Sequence, residues 1–124
     1  MMQKILVVDD NEDILVILKN FLSIKGFEVM VSLSCSEAMD IFYSFKPEVV
    51  LLDINVGQED GRVMCERIKS EADYKHIPVI LISANTDGLQ SYQQHGAFAG
   101  VEKPFNLPHL LQTIKAALHA PLPG

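Results

Sequence analysis

Three short, uninterrupted apolar runs restrict the fold of this chain more than any other feature of its sequence. They are Lys4–Val8 (KILVV), Glu48–Leu52 (EVVLL) and Pro78–Ile82 (PVILI). A run of this length without polar alternation is typical of a strand that is buried on both faces, as in a parallel sheet covered by helices. Two weaker segments, the alternating Phe27–Ser32 (FEVMVS) and Gly100–Lys103 (GVEK), lie where an edge strand and a fifth strand are expected.

Helical patterns occupy the intervals between these runs. Gly26 is placed to end a first helix, and Ser34 with Glu37 resembles a capping box at the start of a second. Asp60–Glu71 is predicted to be a third helix, and Asn106 to cap the last. The apolar positions with helical spacing in the first and last helices are Ile14, Ile17, Leu18, Phe21 and Leu22, and then Leu110, Leu111, Ile114 and Leu118.

The segment Thr86–His95 (TDGLQSYQQH) gives the weakest helical signal. Its clear apolar anchors are Leu89 and Tyr92, and Gly88 lies near its start, where glycine weakens a helix. We therefore predict a short or mobile helix there.

Strands alternating with helices predict an α/β fold with five βα units. Right-handed crossovers place helices on both faces of a doubly wound, five-stranded parallel sheet, and the flavodoxin-like strand order 2-1-3-4-5 is the expected one. The 124 residues suit one domain, which we assign to 1–120, with 121–124 (PLPG) as a tail or the start of a linker.

Charge and composition exclude several classes of protein. Ten Lys+Arg against sixteen Asp+Glu give a net charge of −6, which argues against direct nucleic-acid binding by this domain, because phosphate binding needs a basic face. No apolar run reaches the ~20 residues that span a bilayer, so we expect no membrane contact and a cytoplasmic protein. Cys35 and Cys65 are too few for a disulfide scaffold and are predicted to be reduced core residues.

Polar side chains stand at the end of four predicted strands. Asp9 and Asp10 follow the first, Asp53 the third, Ser83 the fourth, and Lys103 ends the fifth. The carboxyl ends of parallel strands meet at one edge of the sheet, where open α/β sheets bind ligands. We therefore expect three carboxylates, a hydroxyl and an ammonium to converge there.

Each of these residues also has an ordinary structural explanation. Asp9 or Asp10 could cap the first helix, Asp53 could start a turn, Ser83 could bond to backbone and Lys103 could be solvated. Together, however, they fit one chemistry. Three clustered acids need a counter-ion such as Mg²⁺, a carboxylate can act as the nucleophile that forms an aspartyl phosphate, and a lysine and a hydroxyl can bind phosphoryl oxygens. The pattern predicts phosphoryl transfer to an aspartate.

The sequence resembles a response-regulator receiver domain of two-component signalling. The motifs that carry the resemblance are VVDDNED at 7–13, VVLLDINVGQEDG at 49–61, LISA at 81–84, GA at 96–97 and VEKPF at 101–105. The match covers residues 3 to about 119.

This resemblance implies a role for each polar residue at the strand ends. Asp53 would accept the phosphoryl group, and Ser83 and Lys103 would bind it. The metal, Mg²⁺ or Mn²⁺, would be held by Asp10 directly, by Asp9 through water, by Asp53, and by the backbone carbonyl of Asn55. The resemblance also implies a cis peptide bond between Lys103 and Pro104.

The implied partner is a sensor histidine kinase or a histidine phosphotransfer protein, and the implied role is a signalling switch rather than an enzyme. Such a switch takes part in its own phosphotransfer and autodephosphorylation. The output domain or downstream protein is not indicated by the sequence.

Two positions depart from the usual receiver pattern. Gly100 stands where receivers usually carry the Tyr or Phe that couples phosphorylation to the output face, and Gly57 replaces a common proline. We therefore expect that activation orders or shifts the segment around Asn85–Tyr92 rather than rotating a buried aromatic side chain on the fifth strand.

Three other interpretations remain open at this point. The domain could be a phosphate relay or sink with little conformational output. It could be a Mg²⁺-dependent haloacid-dehalogenase-like phosphatase, although Asn55 stands where that class needs its second acid. It could be a flavodoxin-type binding module, although the acids at 9–13 would repel the phosphate of FMN.

Overall fold

A computed structural model describes residues 2–120, so the predicted tail at 121–124 lies outside the described residues. The strands are β1 (Lys4–Val8), β2 (Glu28–Ser32), β3 (Val49–Asp53), β4 (Asn55–Val56), β5 (Glu59–Asp60), β6 (Val79–Ser83) and β7 (Ala99–Glu102). The helices are α1 (Glu12–Ile24), α2 (Cys35–Phe45), α3 (Gly61–Ser70), α4 (Thr86–Leu89) and α5 (Leu107–Leu118), with a 3₁₀ helix at Tyr92–His95.

Five of these strands form a parallel sheet in the order β2-β1-β3-β6-β7. When only the five strands of this sheet are numbered in chain order, the strand order is 2-1-3-4-5. The predicted doubly wound α/β fold is therefore confirmed. All five residues of β3 and of β6 are buried, which is why their sequences carry no polar alternation.

The sheet separates two apolar cores. Along β1, Leu6 and Val8 pack into a core that also contains Phe42 of α2. Ile5 and Val7 point to the other face and pack into a core with α1 and α5. Successive strand residues face opposite sides, so the continuous apolar run serves both cores at once.

The helix starts are capped by short polar side chains. The side-chain oxygen of Asn11 accepts the N–H groups of Asp13 and Ile14 at the start of α1, and Asn106 accepts the N–H of His109 in α5. Ser34 accepts from Glu37 N–H as the capping box predicts, but the N–H of Ser34 itself donates to Ser32 Oγ at 3.3 Å.

Two segments differ from the sequence-based expectation. The third helix was predicted to run from Asp60 to Glu71, but these two residues cap α3 and lie just outside it. Asp60 also belongs to a two-stranded hairpin, β4–β5, which the sequence did not predict. The weak segment 86–95 folds as two separate turns of helix, α4 and the 3₁₀ helix. Gly96, in the left-handed conformation at φ 84°, ends the second of these.

Candidate functional site

The predicted strand-end residues do meet at the carboxyl edge of the sheet. Asp53 and Ser83 are the last residues of β3 and β6, Asp9 directly follows β1, and Lys103 directly follows β7. Because the four strands are parallel and adjacent, all four residues lie at one edge of the sheet, and Lys103 reaches Asp9 and Asp53 across it.

Lys103 joins two of the acids. Its Nζ lies 2.9 Å from Asp9 Oδ2 and 2.5 Å from Asp53 Oδ2. Asp9 and Asp53 are only 2% and 5% exposed, so the single ammonium balances one of the two negative charges on carboxylates that are largely removed from water. The Lys103–Pro104 peptide bond is cis.

Asp10 completes the cluster from the solvent side. One carboxylate oxygen from each of Asp9, Asp10 and Asp53 lies within 4.8 Å of the other two. Neither Asp9 nor Asp10 caps α1, since Asn11 has that position. The ordinary explanation for these two acids is therefore wrong, although Asp9 does bond to the backbone nearby.

The same local turn fixes three of the strand-end side chains. Asp9 Oδ1 accepts the N–H of Asn11 at 2.9 Å, Asp53 Oδ1 accepts the N–H of Asn55 at 2.9 Å, and Ser83 Oγ accepts a backbone N–H two residues ahead at 3.0 Å. Asp and Ser form such turns readily, because their oxygens reach the backbone two residues on. The turn holds each side chain at the edge of the sheet as its strand ends.

Burial and charge act in opposite directions within this group. Loss of hydration on burial raises the pKa of Asp9, the charge of Asp53 adds to the increase, and the hydrogen bonds from Lys103 and Asn11 only partly oppose it. Burial lowers the pKa of Lys103, but its hydrogen bonds to Asp53 and Asp9 outweigh this and raise the pKa above its ordinary value. The lysine is therefore a permanent cation between the two acids.

The donor set fits a hard divalent cation. The convergent ligands are all carboxylate oxygens, with neither His nor Cys among them, and oxygen is the ligand that Mg²⁺ prefers in proteins. Three carboxylates against one ammonium also leave net negative charge, which a cation would balance.

Two predicted site residues stand apart from the carboxylate cluster. Ser83 is 1% exposed, and its contacts are to backbone: Oγ to Asn85 N–H, and its carbonyl oxygen to the N–H of Lys103 at 2.9 Å. Asn55 belongs to β4, and its N–H bonds to Asp53. Sequence reasoning missed Gly57, whose N–H donates to Asp10 Oδ2 at 3.0 Å, since a backbone donor leaves no signal in residue type.

Residues 5–115 match the family described as the response regulator receiver domain. The chain belongs to this family. It is 34% identical over 119 residues to the transcriptional regulatory protein YxdJ of Bacillus subtilis, covering 94% of this chain and 51% of that protein. It is 28% identical over 120 residues to the polar-differentiation response regulator DivK of Brucella ovis, covering 95% and 98%.

Solved structures agree with this assignment. The receiver domain of NtrX from Brucella abortus superposes with a TM-score of 0.86 at 30% identity, covering 94% of this chain and 99% of that one. The chemotaxis protein CheY4 of Vibrio cholerae superposes with a TM-score of 0.87 at 27% identity, covering 95% and 100%. The resemblance inferred from the sequence motifs is thereby confirmed.

The family establishes the general role of the domain, which is that of a phosphoacceptor module in two-component signalling. The phosphatase and flavodoxin interpretations are not favoured. The chain spans about half the length of YxdJ and nearly all of DivK. Within residues 2–120, no helix is both long enough and apolar enough to cross a bilayer.

Proposed function

We propose that Asp53 is the residue that accepts the phosphoryl group, from the phosphohistidine of a sensor histidine kinase or a histidine phosphotransfer protein. The observation that carries this proposal is the ammonium of Lys103, which bridges Asp53 and Asp9 at the carboxyl edge of the sheet. Asp53 is the central member of that arrangement, because it ends the central strand of the sheet.

In this proposal the reaction is an exchange of bonds at phosphorus. A carboxylate oxygen of Asp53 forms the new P–O bond, the P–N bond of the phosphohistidine breaks, and the bonding electrons leave with the imidazole, which takes up a proton. Lys103 turns from the free carboxylate to a phosphoryl oxygen, and Ser83 Oγ supplies a hydrogen bond to another. Both contacts stabilise negative charge at the phosphoryl group.

Mg²⁺ or Mn²⁺ is the proposed cofactor, held by Asp9, Asp10, Asp53 and the backbone carbonyl of Asn55. When bound, the cation supplies positive charge to the carboxylates and to the phosphoryl oxygens. The convergent carboxylate oxygens support this assignment.

The domain acts as a signalling switch that takes part in its own phosphorylation and autodephosphorylation, not as an enzyme with a separate substrate. A cytoplasmic location accords with two unpaired cysteines, Cys35 and Cys65. The net charge of −6 supports a protein partner rather than direct contact with nucleic acid.

Incubation with acetyl phosphate and Mg²⁺ tests the phosphoacceptor. Intact-protein mass should rise by one phosphoryl group, and Asp53→Asn should abolish the gain. Asp40→Asn removes an exposed aspartate of α2 that does not belong to the carboxylate cluster, and it should be labelled as the wild type is. Labelling of Asp53→Asn at the wild-type level would refute the assignment.

A further inference from the structure

Asp10 differs from the other two acids in how it is held. Asp9 and Asp53 are buried and bound to Lys103, whereas Asp10 is exposed. Within residues 2–120, its side chain accepts one hydrogen bond, from the backbone N–H of Gly57 to Oδ2 at 3.0 Å. That bond joins the end of β1 to the β4–β5 hairpin, 47 residues along the chain.

Without such a donor, an exposed carboxylate would turn away from the cluster. Its charge is repelled by Asp9 and Asp53, which lie within 4.8 Å, and water is available on the other side. A hydrogen bond from an N–H group to a carboxylate is stronger than one between neutral partners, so the donor offsets part of this repulsion. With the Gly57 bond formed, one oxygen of Asp10 lies within 4.8 Å of one oxygen each of Asp9 and Asp53.

The hairpin that carries Gly57 is fixed at both ends. The N–H of Asn55 donates to Asp53 Oδ1 at 2.9 Å, and Glu59 Oε1 accepts the N–H of Cys35 at the start of α2 at 2.8 Å. Gly57 lies in the turn between the two strands with φ 60°, a left-handed conformation that glycine adopts without steric cost. The N–H of Gly57 is therefore held close to Asp10 by a turn whose two flanking strands are both anchored by hydrogen bonds.

We propose that the N–H of Gly57 is a positioning group that holds Asp10 in its cation-binding orientation before the cation arrives. This inference rests on the proposed function, because it concerns the same metal site. A proline at position 57, common in the family that this sequence resembles, would have no N–H to donate. The departure from that pattern thus supplies the chain with an extra contact to a metal ligand.

Replacement of Gly57 by glycolic acid tests the role of this one donor, since it exchanges the N–H for an ester oxygen and keeps the backbone path. Mg²⁺ affinity, measured by NMR titration of the backbone amides, should weaken about tenfold, which corresponds to about 1.4 kcal/mol. The matched control is the same replacement at Gly26, which has φ 97° and donates its N–H to Ser23 at 3.1 Å at the far end of α1. The control should lose stability without losing Mg²⁺ affinity.

A second variant and a metal-free measurement complete the test. Gly57→Asn keeps the N–H and tolerates a left-handed conformation, and it should bind Mg²⁺ more tightly than the glycolic acid variant. In the metal-free wild type, a scalar coupling across the hydrogen bond should connect the amide nitrogen of Gly57 with the carboxylate carbon of Asp10.

The outcomes separate this inference from the proposed function. Unchanged Mg²⁺ affinity in the glycolic acid variant, or tighter binding, would overturn the positioning role while phosphorylation of wild-type Asp53 stayed intact. A missing coupling between Gly57 and Asp10 would also overturn it. Failure of the wild type to bind Mg²⁺ or to be phosphorylated would instead overturn the proposed function itself.

Discussion

Removal of the ammonium of Lys103 provides a direct measure of the electrostatics at the site. Lys103→Met keeps most of the aliphatic side chain and removes the charge that lies 2.9 Å from Asp9 and 2.5 Å from Asp53. The variant then holds two nearly buried carboxylates without their counter-ion, which is a strongly destabilising arrangement.

The expected loss follows from the distances. At the outer limit of 4.8 Å between the carboxylate oxygens, and with an effective dielectric constant of about 20, the two acids repel by about 3.5 kcal/mol. In the wild type, the attraction between Lys103 and the two carboxylates offsets this repulsion, and the free-energy cost of burying the ammonium reduces the net gain. Breaking a buried ion pair by deleting one partner costs about 3–5 kcal/mol, so we expect a loss of that size in metal-free protein near neutral pH. Typical domains have a free energy of unfolding of about 5–15 kcal/mol, so the variant should still fold.

The pH dependence identifies the cause of the loss. The pKa of Asp9 is raised in the folded protein, so the folded state binds this proton more tightly and stability falls as pH rises from 3.8 through the folded pKa. Deleting Lys103 raises that pKa further. The penalty should therefore be larger at pH 7–8 than near pH 4, because protonation of Asp9 as the pH falls removes its repulsion with Asp53.

Urea unfolding followed by circular dichroism, with a chelator and at a series of pH values, measures these free energies. The matched control is Lys69→Met, because Lys69 is also partly buried but donates to the backbone carbonyls of Lys75 and Ile77 rather than to carboxylates. Its free-energy loss should not change between pH 4 and 8. A loss below about 1 kcal/mol for Lys103→Met, or one as independent of pH as in the control, would refute the reasoning.

Three further results are expected. Burial raises the pKa of both Cys35 and Cys65 to about 11. Ellman's reagent at pH 8 should therefore react with the folded protein at least about a hundredfold more slowly than with the unfolded chain. Equal rates would contradict the burial of the two thiols. Asp10→Asn should raise the metal-free melting temperature by relieving carboxylate repulsion and should reduce stabilisation by Mg²⁺, whereas a metal-free loss of stability would contradict this. Beryllofluoride should change hydrogen exchange in 85–95, and changes confined to the loops after β1 and β3 would instead indicate a relay without output on this face.

The fold was predictable from sequence because burial of the central strands on both faces leaves continuous apolar runs in the sequence. β3 and β6 have all five residues buried, and continuous apolar runs of this length between helical segments are typical of a parallel sheet covered on both faces. The buried face of each helix was less certain. In α1, the helical spacing identified Leu18 and Leu22 correctly, but Ile17 is 51% exposed and Leu15 is buried, since neighbouring apolar residues do not reveal which of them faces the sheet.

The site was predictable as far as residue type and strand position determine it. Asp9, Asp53 and Lys103 meet because parallel strands end at one edge, and this requires no knowledge of side-chain conformation. The β4–β5 hairpin was not predictable, because its two-residue strands are too short to produce a periodic pattern. The Gly57 contact to Asp10 depends on that hairpin and was missed for the same reason.

The surroundings of Gly100 bear on how a change at the candidate site would reach the face formed by α4 and the 3₁₀ helix. A Cβ at Gly100 would lie 3.2 Å from Leu89 and 3.4 Å from Tyr92, so side chains from α4 and the 3₁₀ helix already cover this position of β7. That segment starts at Ser83, whose Oγ accepts the N–H of Asn85, the residue that caps α4. If Ser83 turns towards a phosphoryl group, its bond to Asn85 is lost at the first residue of the segment. We therefore expect a change at Ser83 to reach this face through backbone and the α4 cap, without an aromatic residue on β7.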